Sequence, residues 1–532
     1  MSEAARRSVG LLVQTSLEGK DPAKVSEELS ELAPAGVVLF RKDIERAGSA
    51  EKSVEEVRRV LKDALASTTG PLPLISADEE GGYVRRVESD RTPSAMALGA
   101  SFDYGLTRKA SLIIGQKLHA LGINWDFAPV ADVNFEPSNP VIATRSFGDN
   151  PGRVASHVVA FIEGLRTAGV LSCAKHFPGH GRSSKDSHLE LPTIDADLET
   201  VLSSDLVPFR AAIQHDVDAI MVGHLYYPRI QKLEEPCSVS REIISGLLRQ
   251  TLGFDGVVAT DALSMKGLGE RMEVGEAAVR ALKAGCDLLE TTSLDMAWEA
   301  RHALEESLSK GNLETGRVLE SAGRVEQLMQ RGMAMEKSVL GAGTPKPKLF
   351  TARDYARCVT MYNQGAAFPK RGELAVVVGG SPLSPASDKL ESPLSIALKR
   401  LGYYVRSSLR LEDLPRKGER YRISFAVSPN KQCVTGVLIV LRDGHMHPQW
   451  AEQVSDIVES GLPVGIIGIG TPYESSMLPD EVRYVCTYSS LEESLCAALR
   501  SLTSPSARTK PGPVRLLAHK AKKQRNLRAR TK

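Results

Sequence analysis

The sequence predicts an α/β protein, an N-terminal (β/α)8 barrel followed by a smaller α/β sandwich domain. Three observations carry this reading. The chain has 532 residues, too many for one small module. Between residue 10 and about residue 290, eight short β-branched or apolar runs alternate with long amphipathic stretches, as parallel strands joined by crossover helices require. A turn-rich segment at 341–349, GAGTPKPKL, then precedes a second set of strand-like runs.

The eight runs are 10–16, 36–40, 72–78, 123–130, 171–177, 219–225, 257–261 and 286–290, the first being the shortest in apolar residues. Between them, 53–67 places Val54, Val57, Val60 and Leu61 on one helical stripe, and 106–121, 153–168, 198–214 and 241–252 do likewise. Eight strand–helix units in about 300 residues fit a closed barrel. Before any motif is considered, a doubly wound open sheet is the alternative. A helix at 314–335 follows. Further runs at 374–379, 403–406, 423–427, 436–441, 464–469 and 484–487 read as buried strands, with a helix at 450–460.

Composition excludes several classes. Apolar residues make up 42% and charged ones 25%, which are globular values. Seven cysteines are scattered singly, so neither a zinc site nor a disulfide framework is expected, and a reducing compartment is the default. The start of the chain lacks the features of an export signal, and no run reaches the roughly twenty apolar residues of a membrane span. These readings predict a soluble, cytoplasmic protein, with an extracellular one as the alternative. Ten Lys or Arg and no acid fall in 508–532, and without them 57 basic residues face 65 acidic ones. Such a tail suits an anionic polymer, although a disordered, solubilising extension is the favoured reading.

In a barrel, chemistry gathers where strands end and loops begin. The densest polar cluster, KHFPGHGRSSKDSH at 175–188, starts at the end of the fifth strand. Its histidines, His176, His180 and His188, are spaced across Pro and two Gly and do not follow the helical HxxxH arrangement of zinc enzymes, so no metal is expected. Asp186, two residues from His188, can accept its N–H, fix the tautomer and stabilise the protonated ring, as a general acid/base requires. Loop glue is the plainer alternative for an isolated DxH. Asp261 ends the seventh strand, as a helix N-cap or as a nucleophile. DEEGGYVRR at 78–86 puts acids, two glycines and two arginines after the third strand, groups suited to sugar hydroxyls. No P-loop or GxGxxG accompanies those glycines. Arg145 follows the fourth strand as a second candidate guanidinium, or as half of a salt bridge.

KHFPGHG followed by DSH and Leu191-Pro192, together with DEEGGxVxR, RSFG and TDALSMKG, resembles glycoside hydrolase family 3 in its β-N-acetylglucosaminidase branch, over residues 10–330. CVTMYNQGAAFP at 358–369 and Gly470-Thr471-Pro472-Tyr473 are similar to segments of the sandwich in two-domain members. The resemblance implies a TIM-barrel catalytic domain at 1–335, a linker and connecting helix at 336–365, a sandwich at 366–505 and a basic tail at 506–532. It implies Asp261 as nucleophile, His188 with Asp186 as acid/base, and Asp78, Arg86, Arg145, Lys175 and His176 as sugar contacts. It gives His224 no role. The implied reaction is retaining, exo-acting hydrolysis of terminal β-linked N-acetylglucosamine from a glycan or muropeptide, with no cofactor. Phosphorolysis, β-glucosidase activity and a non-catalytic carbohydrate-binding role are the alternatives. Tyr83, Glu79 and the Arg182-Ser183-Ser184 step depart from the family's usual residues and point to a different aglycone side.

Overall fold

The computed structural model describes residues 3–64, 73–87, 92–187, 189–342, 349–363, 365–380, 391–411, 414, 434–509 and 511–516. The chain divides into two compact units. The first comprises Met1–Thr92, Tyr104–Ser146 and Asn150–Leu349, and the second Pro93–Asp103, Phe147–Asp149 and Phe350–Lys532.

In the first unit the strands are β1 (Val13–Thr15), β2 (Gly36–Val38), β3 (Leu74–Ala77), β4 (Trp125–Asp126), β5 (Leu171–Phe177), β6 (Ala219–Val222), β7 (Val257–Thr260) and β8 (Leu289–Glu290). Their order is β7-β6-β5-β4-β3-β2-β1-β8, and every pairing is parallel. A parallel bridge from Ala259 to Leu288 brings β7 to β8 and nearly closes the barrel. All the strand residues are buried. Burial on both faces is why the runs are near-continuously apolar rather than alternating.

β5 fills its expected run, and the other seven strands lie within theirs but are shorter. At β4 the reason is Pro129, which has no N–H to give. The chain goes on beside β5 mainly as an acceptor. The carbonyls of Ala128 and Pro129 take the N–H groups of Cys173 and Lys175 at 2.8 and 3.1 Å, before Ala131 N donates to Lys175 O at 2.6 Å.

The helices Ala50–Ala64, Tyr104–Leu121 and Pro151–Thr167 occupy the expected stretches. Asn150 caps the last of these by accepting from Arg153 N, with Pro151 in its first turn. The single helix expected at 198–214 is two, Leu198–Ser203 and Val207–Gln214. Asp205 is buried in the break, where Ser204 Oγ and Arg182 bond its carboxylate, and Pro208 opens the second helix. The 241–252 stretch is a π-helix over Glu242–Thr251. The helix expected at 314–335 extends over Thr315–Ala342.

The second unit holds a mixed six-stranded sheet: β9 (Thr360–Asn363), β10 (Gly372–Gly380), β11 (Tyr403–Arg410), β12 (Gly436–Arg442), β13 (Val464–Gly468) and β14 (Arg483–Cys486). Its order is β11-β10-β12-β13-β14-β9, parallel except for β9 against β14. On one face Leu438 and Val440 of β12 share a core with Leu394, Leu398, Leu495 and Leu499. On the other, Leu441 lines a small cavity with Trp450 and Val454 of the helix Gln449–Val458.

Two expectations need correcting. β9 was not anticipated. The 403–406 run is not a buried strand. Tyr403 is buried, but Tyr404 is 72% and Val405 44% exposed, because β11 has one strand beside it among the described residues. The run expected at 423–427 lies outside the described residues. Of the basic stretch, Pro513 O accepts from Asp149 N at 3.2 Å and Arg515 N donates to Asp149 Oδ2 at 2.6 Å, while 517–532 lie outside the described residues. No described helix is long and apolar enough to cross a membrane. The six described cysteines are buried and free.

Candidate active site

The polar residues singled out in the sequence lie at the carboxyl ends of the barrel strands. Asp78 follows β3, Lys175 and His176 close β5, His224 follows β6 and Asp261 follows β7. The 78–87 loop turns through Gly81 and Gly82, whose φ values of 81° and 62° favour residues without a Cβ. Glu79 shapes that loop. Its N–H donates to Asp126 Oδ1 at 3.0 Å, and its Oε2 accepts from Arg86 N at 2.7 Å and Val87 N at 3.1 Å, which brings Arg86 back toward Asp78.

Five predicted sugar contacts form one connected network. Lys175 Nζ reaches Asp78 Oδ1 and Glu80 Oε1, each at 2.7 Å. Arg86 Nη2 donates to Asp78 Oδ2 at 3.1 Å. Arg145 grips Glu80 with two parallel bonds of 2.9 and 2.8 Å, and its Nη2 also approaches His176 Nε2 at 3.3 Å. His176 Nδ1 lies 2.7 Å from Asp132 Oδ2. A carboxylate only accepts and a guanidinium only donates, so His176 carries its proton on Nδ1 and leaves Nε2 as an acceptor.

Burial, the largest influence on each, would push the carboxyls of Asp78 and Glu80 up and the ammonium of Lys175 down. The neighbouring opposite charges override it. Lys175, Arg86 and Arg145 hold Asp78 well below the usual carboxylate range. Arg145 and Lys175 do the same for Glu80, and the two carboxylates hold Lys175 above its ordinary value. All three are charged at neutral pH.

Asp132, which the sequence reading missed, organises the 175–188 loop. Besides His176, it accepts from the backbone N–H of His180 at 2.6 Å. Gly181 lies so close to β4's extension that a Cβ there would fall 1.8 Å from Val133 O, and its carbonyl takes Glu136 N at 3.0 Å. Arg182 lies over the Phe135 ring at 4.0 Å and bonds Asp205. Asp132 stands six residues beyond β4, where an acid after a strand end was a readable signal. Glu80 was in view within DEEGG but without its partners.

Asp261 is half-buried, and its Oδ1 accepts from Ala262 N at 2.8 Å. His224 bonds the carbonyl of Ala262 through Nε2 at 3.0 Å and Ser238 Oγ through Nδ1 at 2.7 Å. A carbonyl only accepts, so Nε2 bears the proton and the ring is a brace for the Asp261 loop. Gly267 N donates to Ser187 O at 3.1 Å, and Ser187 Oγ meets His180 Nε2 at 2.9 Å. The loop after β7 and the far end of the 175–188 loop are therefore joined. Asp186 is half-buried, and its carbonyl accepts from Leu189 and Glu190 N–H, each at 3.0 Å. His188 lies outside the described residues. Among the described residues, no group of three or more His, Cys, Asp or Glu is arranged to hold a metal.

The chain is similar to known proteins in sequence and fold. The glycosyl hydrolase family 3 N terminal domain matches residues 6–328. "Beta-hexosaminidase A" of Pseudoalteromonas piscicida is 35% identical over 286 residues, 50% of this chain and 47% of its own. "Beta-hexosaminidase LpqI" of Mycobacterium tuberculosis is 40% identical over 266 residues, 48% of this chain and 68% of its own. The match thus spans about half of the first relative and about two thirds of the second. Among solved structures, a glycoside hydrolase family 3 β-N-acetylglucosaminidase from Paenibacillus sp. str. FPU-7 superposes with a TM-score of 0.84 at 30% identity, covering 98% of this chain and 100% of that one. With a barrel of this strand order and a domain match running through β1 to β8, the chain belongs to glycosyl hydrolase family 3.

Proposed function

We propose that the protein is a retaining, exo-acting β-N-acetylglucosaminidase that releases terminal, non-reducing, β-linked N-acetylglucosamine, with cell-wall (peptidoglycan) fragments as its source. The names of the two relatives and of the solved structure support the amino-sugar specificity. The observation that carries the mechanism is the joining of the two loops. Gly267 of the Asp261 loop donates to Ser187 O, so the Asp186-Ser187 end of the 175–188 loop is tied to the Asp261 loop, which supports the reading of the two loops as one site.

In the first step a carboxylate oxygen of Asp261 attacks the anomeric carbon. The bond to the aglycone breaks as His188, oriented by Asp186, gives its proton to the departing oxygen. In the second, His188 takes a proton from water, whose oxygen displaces Asp261 and frees the sugar. An imidazole starts with a pKa near about 6.5, already suited to proton transfer at neutral pH, where most glycosidases must raise that of a carboxyl. Asp78, Arg86, Arg145, Lys175 and His176 hold the sugar's hydroxyls, and Asp132 and Glu80 hold those residues.

Aryl β-N-acetylglucosaminide and the matching β-glucoside, each with and without phosphate, test this reading. It expects free N-acetylglucosamine at a rate indifferent to phosphate and little turnover of the glucoside. Sugar 1-phosphate in phosphate buffer would make the protein a phosphorylase instead, and turnover of neither glycoside would contradict catalysis. Asp261→Asn is expected to lower kcat by about 10⁴ or more. His188→Ala is expected to harm poor leaving groups far more than activated ones. Equal losses on both would refute His188 as the acid.

A further inference from the structure

Glu290 ends β8, on the same rim as Asp78 and Asp261, yet no part of the proposed mechanism uses it. It is 3% exposed, and neither carboxyl oxygen has a hydrogen-bond partner among the described residues. Its backbone is bound into the Asp261 loop. Glu290 O accepts from Leu263 N at 2.9 Å, and Glu290 N donates to Thr260 Oγ1 at 3.1 Å.

The register shows which way this level of the barrel faces. Glu290 pairs with Gln14 of β1, and Gln14 Nε2 passes β2 to reach Ser76 Oγ of β3 at 2.6 Å. A bond between non-adjacent strands of a closed sheet crosses its interior, so Gln14, Ser76 and, by register, Glu290 face inward. Asp78 is two residues beyond Ser76, on the same face one layer nearer the mouth. Gln14 Oε1 also lacks a partner among the described residues, so this layer is polar and incompletely bonded.

A buried carboxyl without partners is costly, more so as an anion. Burial above all, with the charges of Asp78 and Asp261 adding to it, pushes the Glu290 carboxyl well above the ordinary range, so it keeps its proton. A neutral carboxyl offers one donor and an acceptor side by side. A sugar hydroxyl, which also donates and accepts, matches both.

We propose that Glu290 is a sugar-binding residue whose carboxyl exchanges hydrogen bonds with one hydroxyl of the sugar lodged beside Asp261. The assignment rests on the glycosidase reading of that site and deepens it. Glu290 exchanges no proton with the reacting atoms; it positions the sugar and selects for that hydroxyl.

Binding of N-acetylglucosamine and its 3-, 4- and 6-deoxy analogues to the full chain, by titration calorimetry, tests the assignment without turnover. Glu290→Gln keeps a donor and an acceptor at the same reach and is expected to bind N-acetylglucosamine within about threefold of the parent. Glu290→Leu is expected to bind it about tenfold or more weakly, with a melting temperature no lower than the parent's, because the unpartnered buried carboxyl is removed. For one deoxy analogue the parent and Glu290→Leu are expected to bind alike. The proposal is overturned if Glu290→Leu binds like the parent, if Glu290→Gln is as weak as Glu290→Leu, if the loss is the same for every analogue, or if the parent binds none of these sugars. Sugar binding that depends on Glu290 in a protein with no glycosidase turnover would refute the proposed reaction and leave this assignment standing.

Discussion

Burial keeps the His180 ring neutral. It lowers the ring's pKa to about 4, with Asp132 pulling the other way and His176 and Arg145 adding to the burial effect. The unfolded chain therefore takes up a proton between about pH 6.5 and pH 4 that the folded protein refuses, so stability falls as pH drops through that window. Asp78 and Glu80, whose pKa values are depressed, lose their contribution only below the ordinary carboxylate range near about 4. Between pH 6.5 and 4.5, denaturant unfolding is expected to show the parent losing on the order of 1–3 kcal/mol relative to His180→Gln; an identical pH dependence in parent and variant would contradict the assignment. The sequence revealed much at this scale, because Asp78, Arg86, Arg145, Lys175 and His176 stand in recognisable motifs. Their partners did not show. Asp132 reaches His176 across 44 positions and Glu80 reaches Arg145 across 65, and only the barrel's closure brings such residues together.

The barrel strands were legible as elements because residues buried on both faces are mostly apolar. Where they stop was not. Pro129 withdraws a donor within the expected 123–130 run, and the β4 ladder shrinks to Trp125–Asp126. Similarly, the stripe through 198–214 continues across a break that Asp205 makes by turning inward to Arg182, a partner on another loop. β9 escaped notice because its four residues, TMYN, carry only a weak strand signal and rely on β14 for pairing. The loops after β4 and β5 also depend on contacts no periodicity reveals. Gly181 is the clearest case, since its missing Cβ lets Val133 approach. Gly181→Ala is expected to separate the two loops, lower kcat/KM at least about tenfold and cost roughly 1–3 kcal/mol of stability, read by kinetics and melting. A variant with parental kinetics would show that the close approach is dispensable.

Across the whole chain, two units each enclose their own core, and the family match covers most of the first together with two short segments of the second. The 341–349 turn signal marks the end of that unit at Leu349, but composition gave no sign that Pro93–Asp103 and Phe147–Asp149 belong to the second. Their membership rests on contacts such as Ser94 Oγ donating to Tyr488 O at 2.8 Å, which join residues far apart in sequence. The uneven charge along the chain was legible, and the fixing of Arg515 by Asp149 was not. The central claim is that Asp261 becomes covalently bound to the sugar. The most direct measurement is peptide mass spectrometry after trapping with a slow fluorinated N-acetylglucosaminyl donor. The expected result is one added glycosyl mass on the peptide containing Asp261, absent in Asp261→Asn. A label on another residue, or none while the parent turns over substrate briskly, would contradict the account.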